Sequence, residues 1–352
     1  MTVSESARVP VEDRALVGAE DRLVVAAAKA SHQRAVQAME LNRDAVAALQ
    51  SENGGRSAIA RVAQRSIPRW HFAMLNDAER NDALAVAVER QVRPGMHVLD
   101  IGSGSGLLAL MAAQAGAARV TSCEANPILA EIARQVVAAH GMADRVEVVS
   151  AMSTDLVVGR DLPRPADVIV SEIVDCGLIG EGLLPTMRHA RTHLLAPGGR
   201  VLPPSGRLHG ALLESEVVAG FNRVTEAAGF DVSAFNVTAT IGHFPVRLNT
   251  WPHRVLSAYE PLVDFDVQHG DLDDGTRRTT LHPETDGTAH GVVAWFEMDL
   301  GAGVVLRNSP DNVGSHWMQA FLPFDEPVAV RAHHAVDVEI RWQETQLFAS
   351  VD

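Results

Sequence analysis

Apolar and polar positions follow three different rhythms along the 352 residues. From Ala19 to Gln50, Leu23, Val24, Ala27, Val36, Met39, Leu41, Val46 and Leu49 recur at helical spacing with acids and arginines between them. Residues 1–66 are therefore expected to be helical, interrupted by the breaker Ser51-Glu52-Asn53-Gly54-Gly55. A further helix should run to Val92, with Asn76 or Asp77 as its cap. Between 67 and 204 the rhythm changes. Short apolar runs at 96–101, 119–124, 145–149, 166–171 and 199–203 alternate with helical stretches near 105–116, 126–140 and 182–195. That alternation predicts an α/β domain with a parallel sheet covered on both faces. From 205 to 352 the runs shorten again. Arg207–Glu214, Val237–Ile241, Gly291–Leu300, Val304–Arg307, Trp317–Leu322, Val328–Ala332 and Val336–Trp342 read as strands, with two amphipathic pieces near 215–230. An antiparallel, barrel-like domain is the economical reading.

Composition narrows the class. Apolar residues at 47% and charged residues at 21% suit a globular enzyme. The formal charge of −14 argues against broad contact with nucleic acid or an anionic membrane, and is compatible with a cationic substrate. Two cysteines, Cys123 and Cys176, give no disulfide framework and suit a reducing, cytoplasmic setting. No membrane span, no signal segment and no metal site are expected. Lys29 is the one lysine beside many arginines, a bias that suggests a bacterial genome.

The candidate chemistry begins where the first strand of the α/β domain ends. Val98-Leu99-Asp100-Ile101 runs into Gly102, Gly104 and Gly106 and then into a helix-forming stretch. Alone, this turn reads equally well as an ordinary strand-to-helix connection or as a ligand loop. Glu124, at the end of the next strand, tips the balance, because a carboxylate there can accept two ribose hydroxyls. The combination resembles the class I S-adenosylmethionine (SAM)-dependent methyltransferases, which implies a Rossmann-like domain and SAM as cofactor.

Ser171-Glu172-Ile173-Val174-Asp175-Cys176-Gly177-Leu178-Ile179-Gly180-Glu181 then leaves the fourth strand with Glu172 and Glu181 nine residues apart. In an otherwise apolar, glycine-rich run these acids are poorly explained as solvated loop. Folded to face each other, they would receive a planar guanidinium bidentately. The double glutamate is similar to the loop of the protein arginine methyltransferases, and its wording is closest to their monomethylating, type III branch. Met74-Leu75-x-Asp77-x-x-Arg80 resembles the family's helix over the cofactor. Ser315-His316-Trp317 resembles its Thr-His-Trp loop, and His290 to Phe296 matches a barrel strand.

The resemblance implies Arg80 on the methionine carboxylate of SAM, with Asp100, Gly102, Gly104, Gly106, Glu124, Met152 and Ser153 completing the cofactor contacts. It implies Glu172, Glu181, Met74, Asp175, His316 and Trp317 around the substrate. Asp77 and His316 are candidates to receive a proton, although either alone is more often structural. A homodimer is expected, with Phe221 to Phe235 as its docking arm. The family's tyrosines before the Met-Leu helix are missing, since Tyr259 is the chain's one tyrosine; Arg61, Arg65 and Arg69 stand there instead. Those arginines could grip a free α-carboxylate, which favours free L-arginine as substrate, with peptidyl arginine as the alternative. A SAM-binding scaffold without catalysis, and a methyltransferase for another small nucleophile, are the remaining readings.

Overall fold

The computed structural model describes residues 43–50 and 56–351, in two units, Met1–Ile67 and Pro68–Asp352. In the first unit, residues 43–50 and α1 (Arg56–Ser66) are helical. The breaker at 51–55 and the rest of the predicted helix from Ala19 lie outside the described residues.

The second unit opens on two helices where one was expected, α2 (Trp70–Leu75) and α3 (Ala78–Gln91). Asp77 separates them: its backbone is extended, and its carboxylate accepts the Arg80 amide at 3.0 Å, which restarts the helix. The helix stops ahead of Pro94, whose ring disfavours helical geometry in the residue before it.

Five strands form a wholly parallel sheet: β1 (His97–Ile101), β2 (Arg119–Glu124), β3 (Val146–Ser150), β4 (Ala166–Ser171) and β5 (Leu195–Leu202). Their order is β3-β2-β1-β4-β5, with α4 (Leu107–Gln114), α5 (Pro127–Ala139) and α6 (Leu183–His193) between them in sequence. Every residue of β1 is buried, as a strand covered on both faces requires. The order reverses between β1 and β4, where open sheets of this kind bind ligands. Ile101 pairs with Ser171, so Gly102 and Glu172 leave the sheet side by side.

The following strands are antiparallel. β6 (Ser205–Glu214) pairs along its length with the long β13 (Gly287–Asp299), and β13 pairs with β15 (Gln319–Val330). A seven-stranded sheet runs β10 (Arg254–Val255), β6, β13, β15, β9 (Phe244–Val246), with β11 (Glu260–Asp266) on β6 and β14 (Val305–Arg307) on β13. Three strands, β12 (Gly275–Leu281), β16 (Val336–Gln343) and β17 (Gln346–Val351), make a second sheet. One apolar core joins Leu99 and Ile169 of the parallel sheet to Leu208, Phe296 and Phe324 of the barrel.

Three expectations are corrected. Gln319–Leu322 of the first run and Val328–Val330 of the second lie in one strand, β15, which continues through Pro323-Phe324-Asp325-Glu326-Pro327 with a register shift against β13. Val237–Ile241 is no strand, because residues 233–238 form a 3-10 turn with Val237 and Ile241 exposed. The pieces near 215–230 are a short helix, α7 (Glu216–Ala219), and a small hairpin, β7 (Glu226–Ala227) with β8 (Phe230–Asp231). Among the described residues, no helix is long and apolar enough to cross a membrane.

Candidate active site

The ligand side of the parallel sheet begins with Asp100, wholly buried at the end of β1. Its Oδ2 accepts the Ser122 hydroxyl at 2.6 Å, whereas its Oδ1 is buried with no hydrogen-bond partner. Burial pushes this carboxyl up to about 7, against the Ser122 bond and helped by the nearby Glu124. Gly102, Gly104 and Gly106 all hold positive φ, which an L side chain rarely adopts. At Gly102 a Cβ would also meet Ile173 at 2.8 Å, so this glycine lets the turn sit against the double-glutamate segment. Glu124 closes the turn by accepting the amides of Gly104 at 3.0 Å and Asn126 at 2.8 Å, and its remaining lone pairs are available to a ligand. Ser153 is buried in a 3-10 turn after β3, and Met152 beside it is half exposed.

Across the crevice, Arg80 of α3 forms an ion pair with Glu172, and both side chains are almost wholly buried. Arg80 also donates to Asn81, while its Nε is buried without a partner. Burial raises the Glu172 carboxyl, and Arg80 opposes the rise. Glu181 is exposed at its edge, yet its surroundings and then the Glu172 and Asp175 carboxylates push it up to about 8. Water at that edge tempers the push. The Glu172 charge therefore works against a charge on Glu181.

Asp77 and His316 meet beside Glu172. Asp77 Oδ2 accepts both the amide and the Nδ1 of His316 at 2.9 Å, and Oδ1 accepts the Arg80 amide. Burial works against the Asp77 charge, but these donors outweigh it and hold the carboxyl below its ordinary range. Burial lowers His316, with Asp77 pulling the other way. Nδ1 thus carries the ring proton that Asp77 receives, and Nε2 keeps its lone pair.

Two residues expected to touch substrate have partners within the chain. Trp317 is buried edge-on to Phe296 and donates its Nε1 to the Val174 carbonyl at 3.1 Å. Asp175 gives one oxygen to His243 at 2.7 Å and the other to the Gly177 and Gly180 amides. Met74 is half-buried on α2, a helix on which Trp70 and Phe72 stand exposed. Sequence reasoning missed Arg247, which donates to the Ser315 and His316 carbonyls, and Asn308, which donates to the Cys176 and Met318 carbonyls. Neither lies in a motif, and only the folded chain shows what they hold.

Residues 209–350 match the arginine methyltransferase oligomerization subdomain, and residues 83–206 match the ribosomal protein L11 methyltransferase family. A protein of Streptomyces achromogenes subsp. streptozoticus named arginine N(omega)-methyltransferase is 56% identical over 294 residues. That match covers 84% of this chain and 81% of the relative. The chain belongs to the arginine methyltransferase family. Among other members, protein arginine N-methyltransferase 7 of Aedes aegypti is 33% identical over 79% of this chain, which spans 48% of that relative. The fold is that of the PRMT1 enzyme–prozyme complex of Trypanosoma brucei, solved with AdoHcy. The TM-score is 0.69 at 24% identity, covering 81% of this chain and 92% of that one.

Proposed function

We propose that this family member is a SAM-dependent arginine guanidino N-methyltransferase that forms Nω-methylarginine, with free L-arginine as its favoured substrate. The observation that carries the reading is Glu172 just past β4, within electrostatic reach of Glu181 and of Asp77, which pairs with His316.

The residues on the β1 side fit the cofactor. Asp100 and Arg80 each keep one buried, unpartnered polar atom, and the positive-φ turn keeps side chains out of the ligand's path. Asp100, Gly102, Gly104, Gly106 and Glu124 would hold SAM, with Met152 and Ser153 beside its adenine and Arg80 on its carboxylate. When bound, SAM supplies an electrophilic methyl group on its sulfonium sulfur. Glu172 and Glu181 draw the charge of the substrate guanidinium toward the nitrogens they contact, which leaves the remaining nitrogen more nucleophilic. They also hold that nitrogen in line for attack. His316, oriented by Asp77, offers Nε2 to the proton that the methylated nitrogen releases. A phenol or carboxylate acceptor would be repelled by the second glutamate, which disfavours other small nucleophiles. The intact set of acids, Arg80 and His316 speaks against a scaffold without catalysis.

Free arginine is favoured by the name of the 56% identical relative, which specifies arginine, whereas the 33% identical one specifies protein arginine. Bacterial composition leans the same way, and Arg69 is a candidate for the α-carboxylate. The comparison of kcat/KM for free L-arginine and for a glycine-arginine-rich peptide tests this. Free arginine should win, and a higher value for the peptide would make the chain a protein-modifying enzyme.

The proposed assembly is a cytoplasmic homodimer. Phe221, Phe230, Phe235, Val237 and Ile241 are all exposed along the arm at 216–242, more apolar surface than a lone arm sustains. Sedimentation at micromolar concentration should give a dimer. A Phe230→Glu and Phe235→Glu double variant should give a monomer, and a monomeric wild type would refute the assembly.

A further inference from the structure

The loop between the two glutamates is strapped to the barrel at three consecutive residues. Trp317 holds the Val174 carbonyl, Asn308 holds the Cys176 carbonyl, and His243 holds the Asp175 side chain. The middle strap differs from the others because Asp175 also folds the loop on itself. Its Oδ1 accepts the amides of Gly177 at 3.0 Å and Gly180 at 2.8 Å, and Glu181 follows Gly180 directly. There is no room to loosen this arrangement. A Cβ at Gly180 would collide with the Asp175 carboxylate, and one at Gly177 would lie 2.6 Å from His243 Nε2.

His243 is itself fixed. Its side chain is 3% exposed, and its Nδ1 accepts the Leu347 amide of β17 at 3.1 Å. An N–H donor at Nδ1 requires the ring proton to sit on Nε2, from which it is donated to Asp175. His243 ends the arm segment and precedes β9, whose Phe244, Pro245 and Val246 pair with Phe321, Ala320 and Gln319 of β15. That strand starts just after His316 and Trp317.

The ligand atoms of Asp175, Cys176 and His243 lie within 4.8 Å of one another, close enough to suggest a metal. The hydrogen bonds argue otherwise. Nε2 has no lone pair to offer while Leu347 donates to Nδ1, and burial keeps the Cys176 thiol protonated.

Resting on the arginine-methyltransferase reading, we propose that Asp175 and His243 are a positioning pair. They set Glu181 against Glu172 for the guanidinium, and tie the double-glutamate loop to the end of the arm. Glu181 is the more open of the two glutamates and, unlike Glu172, has no arginine paired with it among the described residues. Its position therefore depends on the backbone that Asp175 folds.

The test uses the full chain with His243→Leu, which removes the donor, and His243→Gln, whose amide can still donate to Asp175. With free L-arginine or the glycine-arginine-rich peptide, whichever the wild type methylates better, His243→Leu should raise KM and lower kcat. The combined loss in kcat/KM should be about ten- to hundredfold, with unchanged SAM affinity and substantial recovery in His243→Gln. Binding of the same substrate in the presence of S-adenosylhomocysteine completes a double-mutant cycle with Glu181→Gln. The His243→Leu effect should shrink toward none in the Glu181→Gln background. Additive effects, equal loss of SAM affinity, or no difference between Leu and Gln would overturn the proposal. So would a stoichiometric bound zinc that is lost in His243→Gln. A wild type that binds SAM but methylates neither substrate overturns the underlying reading instead, and this inference with it.

Discussion

Glu172→Gln and Glu181→Gln are each expected to lower turnover on the order of 10²- to 10³-fold at saturating substrate, while SAM affinity stays near wild type. Each amide keeps the shape of the carboxylate but removes the charge that polarises the guanidinium and stabilises it as the methyl arrives. The glutamates are unequal. Glu172 is buried against Arg80, so its amide variant also leaves that guanidinium without its anionic partner. Glu181 has no such partner among the described residues, and its pKa pushed up to about 8 gives a second signature. The unfolded chain ionises this group in the ordinary carboxylate range, and the folded chain does so only near the raised value. Between those limits the folded state holds a proton that the unfolded state has lost, so stability falls as pH rises. Glu181→Gln does not titrate. Relative to wild type, its Tm should therefore rise between about pH 5 and about pH 8. Wild-type turnover in either variant would end the paired-carboxylate mechanism. A Tm difference that is flat with pH would show that Glu181 is not held among the other acids.

Arg80→Ala should be costly twice over. The lost contact to the SAM carboxylate should weaken cofactor binding by about 1.5–3 kcal/mol in a calorimetric titration, the worth of a hydrogen bond to a charged group. Removing Arg80 also strands Glu172, whose burial already raises its pKa. The stranded carboxylate should take up a proton, and activity should then survive only at higher pH. Arg80→Lys should recover little, because an ammonium cannot replace a fork that already serves Asn81 and Glu172. Unchanged SAM affinity in Arg80→Ala would remove this residue from the cofactor site.

The parallel half of the fold was legible because its signals are local. A buried strand, a glycine turn with positive φ and a carboxylate at the next strand end all fall within 98–124. The barrel was harder to read for reasons that particular residues show. Gly275–Leu281 (Gly-Thr-Arg-Arg-Thr-Thr-Leu) is mostly polar, so β12 carries no apolar alternation, and only its pairing with β16 makes it a strand. In β15 two prolines and two acids interrupt the pattern midway, yet the strand continues past a register shift against β13. Val237–Ile241 shows the converse, since its alternation belongs to an exposed arm. The candidates Glu172, Glu181, Asp77, His316 and Arg80 stood out in the sequence as residue types in spaced motifs. The way Trp317 and Asp175 are used did not. Their partners Val174 and His243 are up to 143 residues distant in sequence, and a lone histidine such as His243 carries no sign of its bond to the double-glutamate loop.

Mass spectrometry of the products, after incubating the full chain with SAM and equal amounts of free L-arginine and a glycine-arginine-rich peptide, shows whether the paired glutamates direct methyl transfer to a guanidine. Fragmentation should place one added methyl on a terminal guanidine nitrogen, predominantly of free arginine, and Glu181→Gln should yield none. A methyl on any other atom of arginine, or no transfer to either guanidine by protein that binds SAM, would rule out guanidine methylation at this site.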